Sequence, residues 1–299
     1  MKIIRPIAIT DAVLSASNVP ETDYPAYNAA TTYALGARVI VVAANVHKIY
    51  ESLAASNTGH TPASSPTWWL DIGATNRWRM FDQSVTSQAS NANSIDVTLQ
   101  TTGRISAVAL ANISGVSARV IMTDATDGVV FDAPFSLIST SGVSDWYSYI
   151  FEPVVRLGDL VVLDMPPYTS PTVRVIIAAS GETVRCGALL VGQQIGAGAT
   201  QYGAAVGIQD YSVKQQDEFG NYTILARAFS KRATFTLWVD SRRVDMLHAL
   251  LAACRATPTV YIGSELYAST IIYGFYKDFA LTIAYATESV CTIELEGLT

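Results

Sequence analysis

From residue 77 to about residue 180, apolar and polar positions alternate in short runs that recur at nearly even spacing. Residues 94–99, 105–110, 117–122, 129–131, 146–151, 160–163 and 172–178 each read as a strand. Thr-Gly, Ser-Gly, Asp-Gly and Pro-Pro turn chemistry separates them. Seven short strands with such turns predict a β-sandwich or jelly roll. Along Val173, Val175 and Ile177 the alternation is that of a sheet with one buried face.

The pattern changes after Ile208. Residues 222–227 and 234–239 read as strands, and Asp240 or Ser241 can cap a helix whose apolar positions Val244, Leu247, Leu250, Leu251 and Cys254 follow helical spacing. Pro258 stops that helix, and strands are expected from Val260, over 270–275, over 280–285 and over 290–295. This predicts an α+β unit with one helix on a sheet. At the other end, residues 3–10 read as one extended segment, and the turn-rich stretch to Tyr27, with Pro20 and Pro25, reads as a linker. Between sandwich and C-terminal unit, Gly192, Gly196, Gly198, Gly203 and Gly207 lack the Lys-Ser/Thr or helix context of a nucleotide loop. A close-packed loop is expected there, since glycine permits near backbone approach.

Between residues 33 and 69 stand Tyr33-Ala-Leu-Gly36-Ala-Arg-Val39, then Ile49-Tyr50-Glu-Ser, then Gly59-His-Thr-Pro62, then Thr67-Trp68-Trp69. Aromatic faces beside turn residues suit sugar recognition, because pyranose C–H faces stack on rings while hydroxyls meet polar groups. The alternative is that the same aromatics only build the core of a domain too small to make one otherwise, and a mix of core and exposed platform is the expectation. Adjacent strand residues point to opposite faces, so one of Trp68 and Trp69 must face inward. The order of these motifs resembles the small chitin-binding-type carbohydrate modules, which makes Tyr33, Tyr50, Trp68 and Trp69 the candidate carbohydrate-binding residues.

The phrase Trp78-Arg79-Met80-Phe81-Asp82 before the first core strand resembles the galactose-binding-like jelly rolls. Further on, the segment from Gly207 to Lys231, with Asp217-Glu-Phe-Gly-Asn221, and the blocks Tyr261-Ile-Gly-Ser264 and Tyr273-Gly-Phe-Tyr-Lys-Asp278 resemble tail proteins of bacteriophages and prophages. That resemblance implies a baseplate or minor tail protein in the virion, made in the host cytoplasm, forming a homo-oligomeric ring with other tail proteins and contacting bacterial surface polysaccharide. The resulting division is an N-terminal extended segment (1–23) that could pair with the sandwich, a carbohydrate-binding-like module (24–75), a β-sandwich (76–195) and an α+β assembly domain (196–299).

Composition narrows the function. Half of the 299 residues are apolar and 15% are charged, which excludes a disordered chain. The net charge of −6 with scattered basic residues gives no footprint for nucleic acid. A positive mean hydropathy with few charges suggests surfaces covered by partners. The absence of an apolar window long enough to span a bilayer argues against membrane insertion. Cys186, Cys254 and Cys291 are widely spaced in apolar runs and read as buried free thiols.

No catalytic constellation emerges. His47, His60 and His248 lack metal-ligand spacing, Gly-x-Ser-x-Gly is absent, and no metal or cofactor is expected. Asp124, Asp127, Asp132, Asp145, Asp159 and Asp164 read as turn formers, with a loop calcium as the alternative. Three functions compete: a structural tail-tip component that also binds host carbohydrate, a purely structural ring protein whose module makes assembly contacts, and a polysaccharide-degrading tail enzyme. The first is the expectation.

Overall fold

The computed structural model describes residues 1–139, 145–216 and 218–298. The alternating runs become antiparallel strands, and these gather into two units, Met1–Ile7 with Val191–Thr299 and Ala8–Leu190. Strand β1 (Lys2–Pro6) belongs to the former.

The Ala8–Leu190 unit begins with β2 (Leu14–Ser17), then β3 (Arg38–Ala43), β4 (Val46–Ser52) and β5 (Trp69–Ala74). The sandwich strands follow: β6 (Ala89–Gln100), β7 (Ala107–Ser114), β8 (Ser117–Asp124), β9 (Gly128–Ser136), β10 (Leu160–Val162) and the long β11 (Thr172–Gly196). Between Thr172 and Ala178, β11 lies between β6 and β8, with β2 beyond β6 and β9 beyond β8. The inward residues alternate as expected: Ile95, Val97, Leu99, Val120, Met122, Val173, Val175 and Ile177 are all buried.

The ladder then breaks register between Ala178 and Thr183. There Gly181 takes a φ of +77°, which an L side chain disfavours, and its N–H donates to Oδ1 of Asn93, 2.9 Å away. Asn93 also has a positive φ, 64°, so both strands bend at one level. Past the bend, β11 continues beside β6 and β7, and β10 extends that layer on β7. Residues 146–151 depart from expectation. They form helix α1 (Trp146–Phe151) rather than a strand. The run Trp-Tyr-Ser-Tyr-Ile-Phe is apolar without alternation, and such a run carries no two-residue period to hold it in a sheet.

In the other unit, β1 sits between the last residues of β11 and β17 (Thr259–Ile262). The remaining strands are β12 (Ala199–Thr200), β13 (Ala205–Asp210), β14 (Val213–Gln216), β15 (Tyr222–Leu225), β16 (Phe229–Asp240), β18 (Ile271–Thr282) and β19 (Glu288–Gly297). Their order is β11, β1, β17, β18, β19, β16, with β12 and β13 both on the far side of β16. The N-terminal segment is thus divided: β1 pairs with β17 of the C-terminal third, and β2 with the sandwich strand β6. The two strands expected over 270–275 and 280–285 are one strand, β18, which absorbs a register shift between Tyr276 and Asp278.

Helix α2 (Val244–Ala253) starts after one 3-10 turn at Ser241–Arg243, where Asp240 accepts from the Arg242 N–H at 2.9 Å. Its Leu247, Leu250 and Leu251 pack with Phe235, Leu237, Ile293 and Leu295 from β16 and β19. The glycine stretch opens as strand, since β11 runs to Gly196. Close approach is the reason for glycine at 192, where a Cβ would lie 2.0 Å from the Arg5 carbonyl oxygen.

All three cysteines are free and buried. Burial pushes the Cys186 thiol up to about 12 and that of Cys291 up to about 11, so neither offers thiolate near neutral pH. A disulfide reagent at pH 8 should therefore leave the native protein unmodified and label three thiols per chain once denaturant is added. Rapid labelling of the native protein would contradict this packing.

Candidate functional site

The aromatic segment folds as a three-stranded antiparallel sheet, β3–β4–β5. The hairpin turn between β3 and β4 is Ala44-Asn45, with Asn45 at a φ of 55°. Gly36, at +78°, turns the chain into β3. Asn57 is the internal splice: its backbone pairs with Tyr33, and its side-chain amide donates to Ser52 Oγ at 3.0 Å and to the Trp68 carbonyl at 3.2 Å. A buried amide with those partners fixes the long loop between β4 and β5 against the sheet.

The four candidate sugar residues divide by burial. Trp69, 2% exposed, and Tyr50, 7%, form the module's core with Val39. Tyr33 is half-buried against Trp69, ring centroids 5.1 Å apart and edge-on, and stacks on Tyr27 at 5.9 Å. The Trp69 indole N–H donates to the His60 carbonyl at 2.8 Å. Trp68 is half-buried and stacks on the His60 ring, centroids 3.9 Å apart and 14° from parallel. Trp69 lies in the module's core, whereas Trp68 and His60 are both half-buried.

A second group of residues comes together at the opposite end of β4. His47 places Nε2 2.6 Å from Asp11 Oδ1 and Nδ1 2.7 Å from Glu21 Oε1. Each ring nitrogen thus meets a carboxylate oxygen at hydrogen-bond distance. The ring also stacks on Trp78, centroids 4.2 Å apart and 17° from parallel. Glu21 further accepts from the Thr75 hydroxyl at 2.7 Å and faces Arg77 at 3.6 Å. Asp11 and Asn45 exchange two bonds, Asn45 N–H to Asp11 Oδ2 at 2.8 Å and Asp11 N–H to Asn45 Oδ1 at 3.1 Å. The Asn45 N–H, and after it His47, holds the Asp11 carboxyl below the usual carboxylate range.

Beside this clamp lies an open cleft of about 510 Å³, lined among others by Thr10, Asn45, Lys48, Asp71, Trp78 and Asp82. Lys48 pairs with Asp71, a hydrogen bond that holds the ammonium above its ordinary range. Asp82 is half-buried, and desolvation raises its carboxyl even though it accepts from the Ser84 N–H at 2.8 Å. None of these groups was singled out as a site by sequence, because Asp11, Glu21, His47 and Trp78 are scattered over 68 positions and carry no spacing motif.

Of the loop aspartates, Asp124 accepts locally from the N–H groups of Thr126 and Asp127, Asp132 pairs with Arg119, and Asp127 accepts from Tyr168 Oη. Among the described residues, no group of three or more His, Cys, Asp and Glu side chains is arranged to hold a metal ion. No helix among them is long and apolar enough to cross a membrane. Asp217, part of the segment that resembles tail proteins, lies outside the described residues. Comparison with known protein families, with curated proteins and with solved structures found no match.

Because Trp69 is core and Trp68 is not, the pair should separate in stability. Trp69→Ala should destabilise the module by about 3–5 kcal/mol, and Trp68→Ala by about 1 kcal/mol, measured by urea unfolding. Equal losses would place Trp68 in the core as well.

Proposed function

We propose that this protein is a structural subunit of a bacteriophage tail tip or baseplate that assembles with copies of itself and with other tail proteins, and that also holds host cell-surface carbohydrate through its β modules. The reading is of a binding and assembly protein rather than an enzyme. The observation that carries it is the arm formed by β13, β14, β15 and the start of β16. Ile208, Tyr222, Ile224, Leu225 and Phe229 are 55–65% exposed there, and every residue of β15 is exposed on both faces of the hairpin. Strand β13 pairs, among the described residues, only with β16, so its outer edge presents unpaired backbone groups. A hairpin strand with exposed apolar side chains beside an open strand edge is a surface that favours association, and a second copy of this chain is the occupant proposed here.

The carbohydrate half rests on the chitin-binding-like order of the module and on the half-buried Trp68–His60 stack. Weak single-site affinity suffices when several copies sit on one particle. The burial of Tyr50 and Trp69 favours the second reading, a ring protein whose module serves assembly alone, because those two rings are committed to the core.

Light scattering on purified protein tests assembly. The wild type should be a homo-oligomer at micromolar concentration, and Ile208→Ser with Ile224→Ser should shift it toward monomer without loss of fold. A wild type that stays monomeric under the same conditions contradicts the assembly reading. Retention on purified envelope polysaccharide tests the carbohydrate half. Particles lacking residues 24–72 separate the two readings: lost adsorption with intact tails supports the adhesin, and lost assembly supports the scaffold.

A further inference from the structure

We propose that the cleft bounded by the Asn45 turn, β5 and the Trp78–Asp82 turn is a saccharide subsite that holds one hydroxylated ring; this rests on the carbohydrate-binding reading above and gives it a place that the module's buried rings do not. Its volume, about 510 Å³, falls in the range of small-molecule sites. Its chemistry is mixed at close quarters. The Lys48 ammonium donates, the Asp71 and Asp82 carboxylates accept, and the Thr10 hydroxyl and Asn45 amide do both. A sugar ring presents that same alternation of donors and acceptors around an apolar C–H face, and Trp78 and Phe81 supply apolar wall, 5.8 Å apart and steeply inclined.

Other ligand classes fit less well. A polyanion would meet two carboxylates against one ammonium already paired to Asp71. A purely apolar ligand would strand Asp82 and the Lys48–Asp71 pair away from water.

The walls are also held in place before any ligand arrives. The clamp of Asp11 and Glu21 on His47 fixes β4 against Trp78, and the Asp11–Asn45 exchange fixes the turn. Preorganised walls lower the ordering cost of binding. Asp82 is the most informative member. Burial works against its charge, so an ionised carboxylate here costs stability at neutral pH, as groups retained for binding often do.

The test is a calorimetric and NMR titration of the full chain with glucose, galactose, rhamnose, N-acetylglucosamine and their disaccharides at millimolar concentration. Variants are Asp82→Asn, which keeps an acceptor for the Ser84 N–H, Asp71→Asn, and, as the comparison, Asp132→Asn, a carboxylate paired to Arg119 on the sandwich. Losing a hydrogen bond to a charged group should weaken binding about 10-fold or more in the two cleft variants, while Asp132→Asn stays near wild type. Asp82→Asn should melt at or above the wild-type temperature at pH 7, with the difference closing as pH falls and the aspartate protonates, which separates a binding defect from a folding defect. Cleft variants that bind as well as wild type overturn the subsite and leave the carbohydrate reading standing. A wild type that binds none of the sugars also overturns it. If envelope polysaccharide is then retained, only the subsite fails; if it is not, both readings fall.

Discussion

A strand commits alternate side chains to opposite faces, so each antiparallel ladder in this protein must find a cover for its apolar face. The rest of the structure can be read as three answers to that constraint. The central ladders bury one face as a sandwich, with Val173, Val175 and Ile177 on β11 side by side with Leu99, Val97 and Ile95 on β6 in one buried surface. The β16–β19 ladder is covered by α2 through Leu247, Leu250 and Leu251. The three-stranded module is too small for either device and covers its sheet with Tyr50, Trp69 and the half-buried rings around them.

The arm of β13 to β16 is where that constraint is unmet within the chain. Its side chains alternate, but both faces of β15 are exposed. An exposed apolar ladder favours association, and this is the physical link between the fold and the assembly proposed for it. The module stands in the opposite relation. Tyr50 and Trp69 are held in its own core, and the polar cleft beside it is lined by other residues.

That contrast explains how far the site could be read in advance. The motif order from Tyr33 to Trp69 correctly marked a small aromatic β unit, and strand alternation required one of Trp68 and Trp69 to face inward. Which one does so depends on Asn57 and on the His60 carbonyl, which fix the loop and hold the Trp69 indole. The His47 clamp left no local trace: its carboxylates lie 36 and 26 residues upstream and meet only when β4 and the N-terminal segment are in place. Likewise, the apolar run 146–151 had composition without period, and it became a helix.

By itself the sequence determined what depends on near neighbours. Period-two runs gave the mainly β character and most strands, helical spacing after Asp240 gave the one helix of the α+β unit, and turn residues gave the breaks between them. Tertiary structure alone decided what depends on distant pairing. It decided that β1 closes onto β17, that β11 bends at Gly181 and runs on to Gly196, and that Asp11, Glu21 and His47 converge beside Trp78. The reason is that hydrogen-bonded pairing and charge contacts are made across space between segments whose separation along the chain sets no preference for either partner.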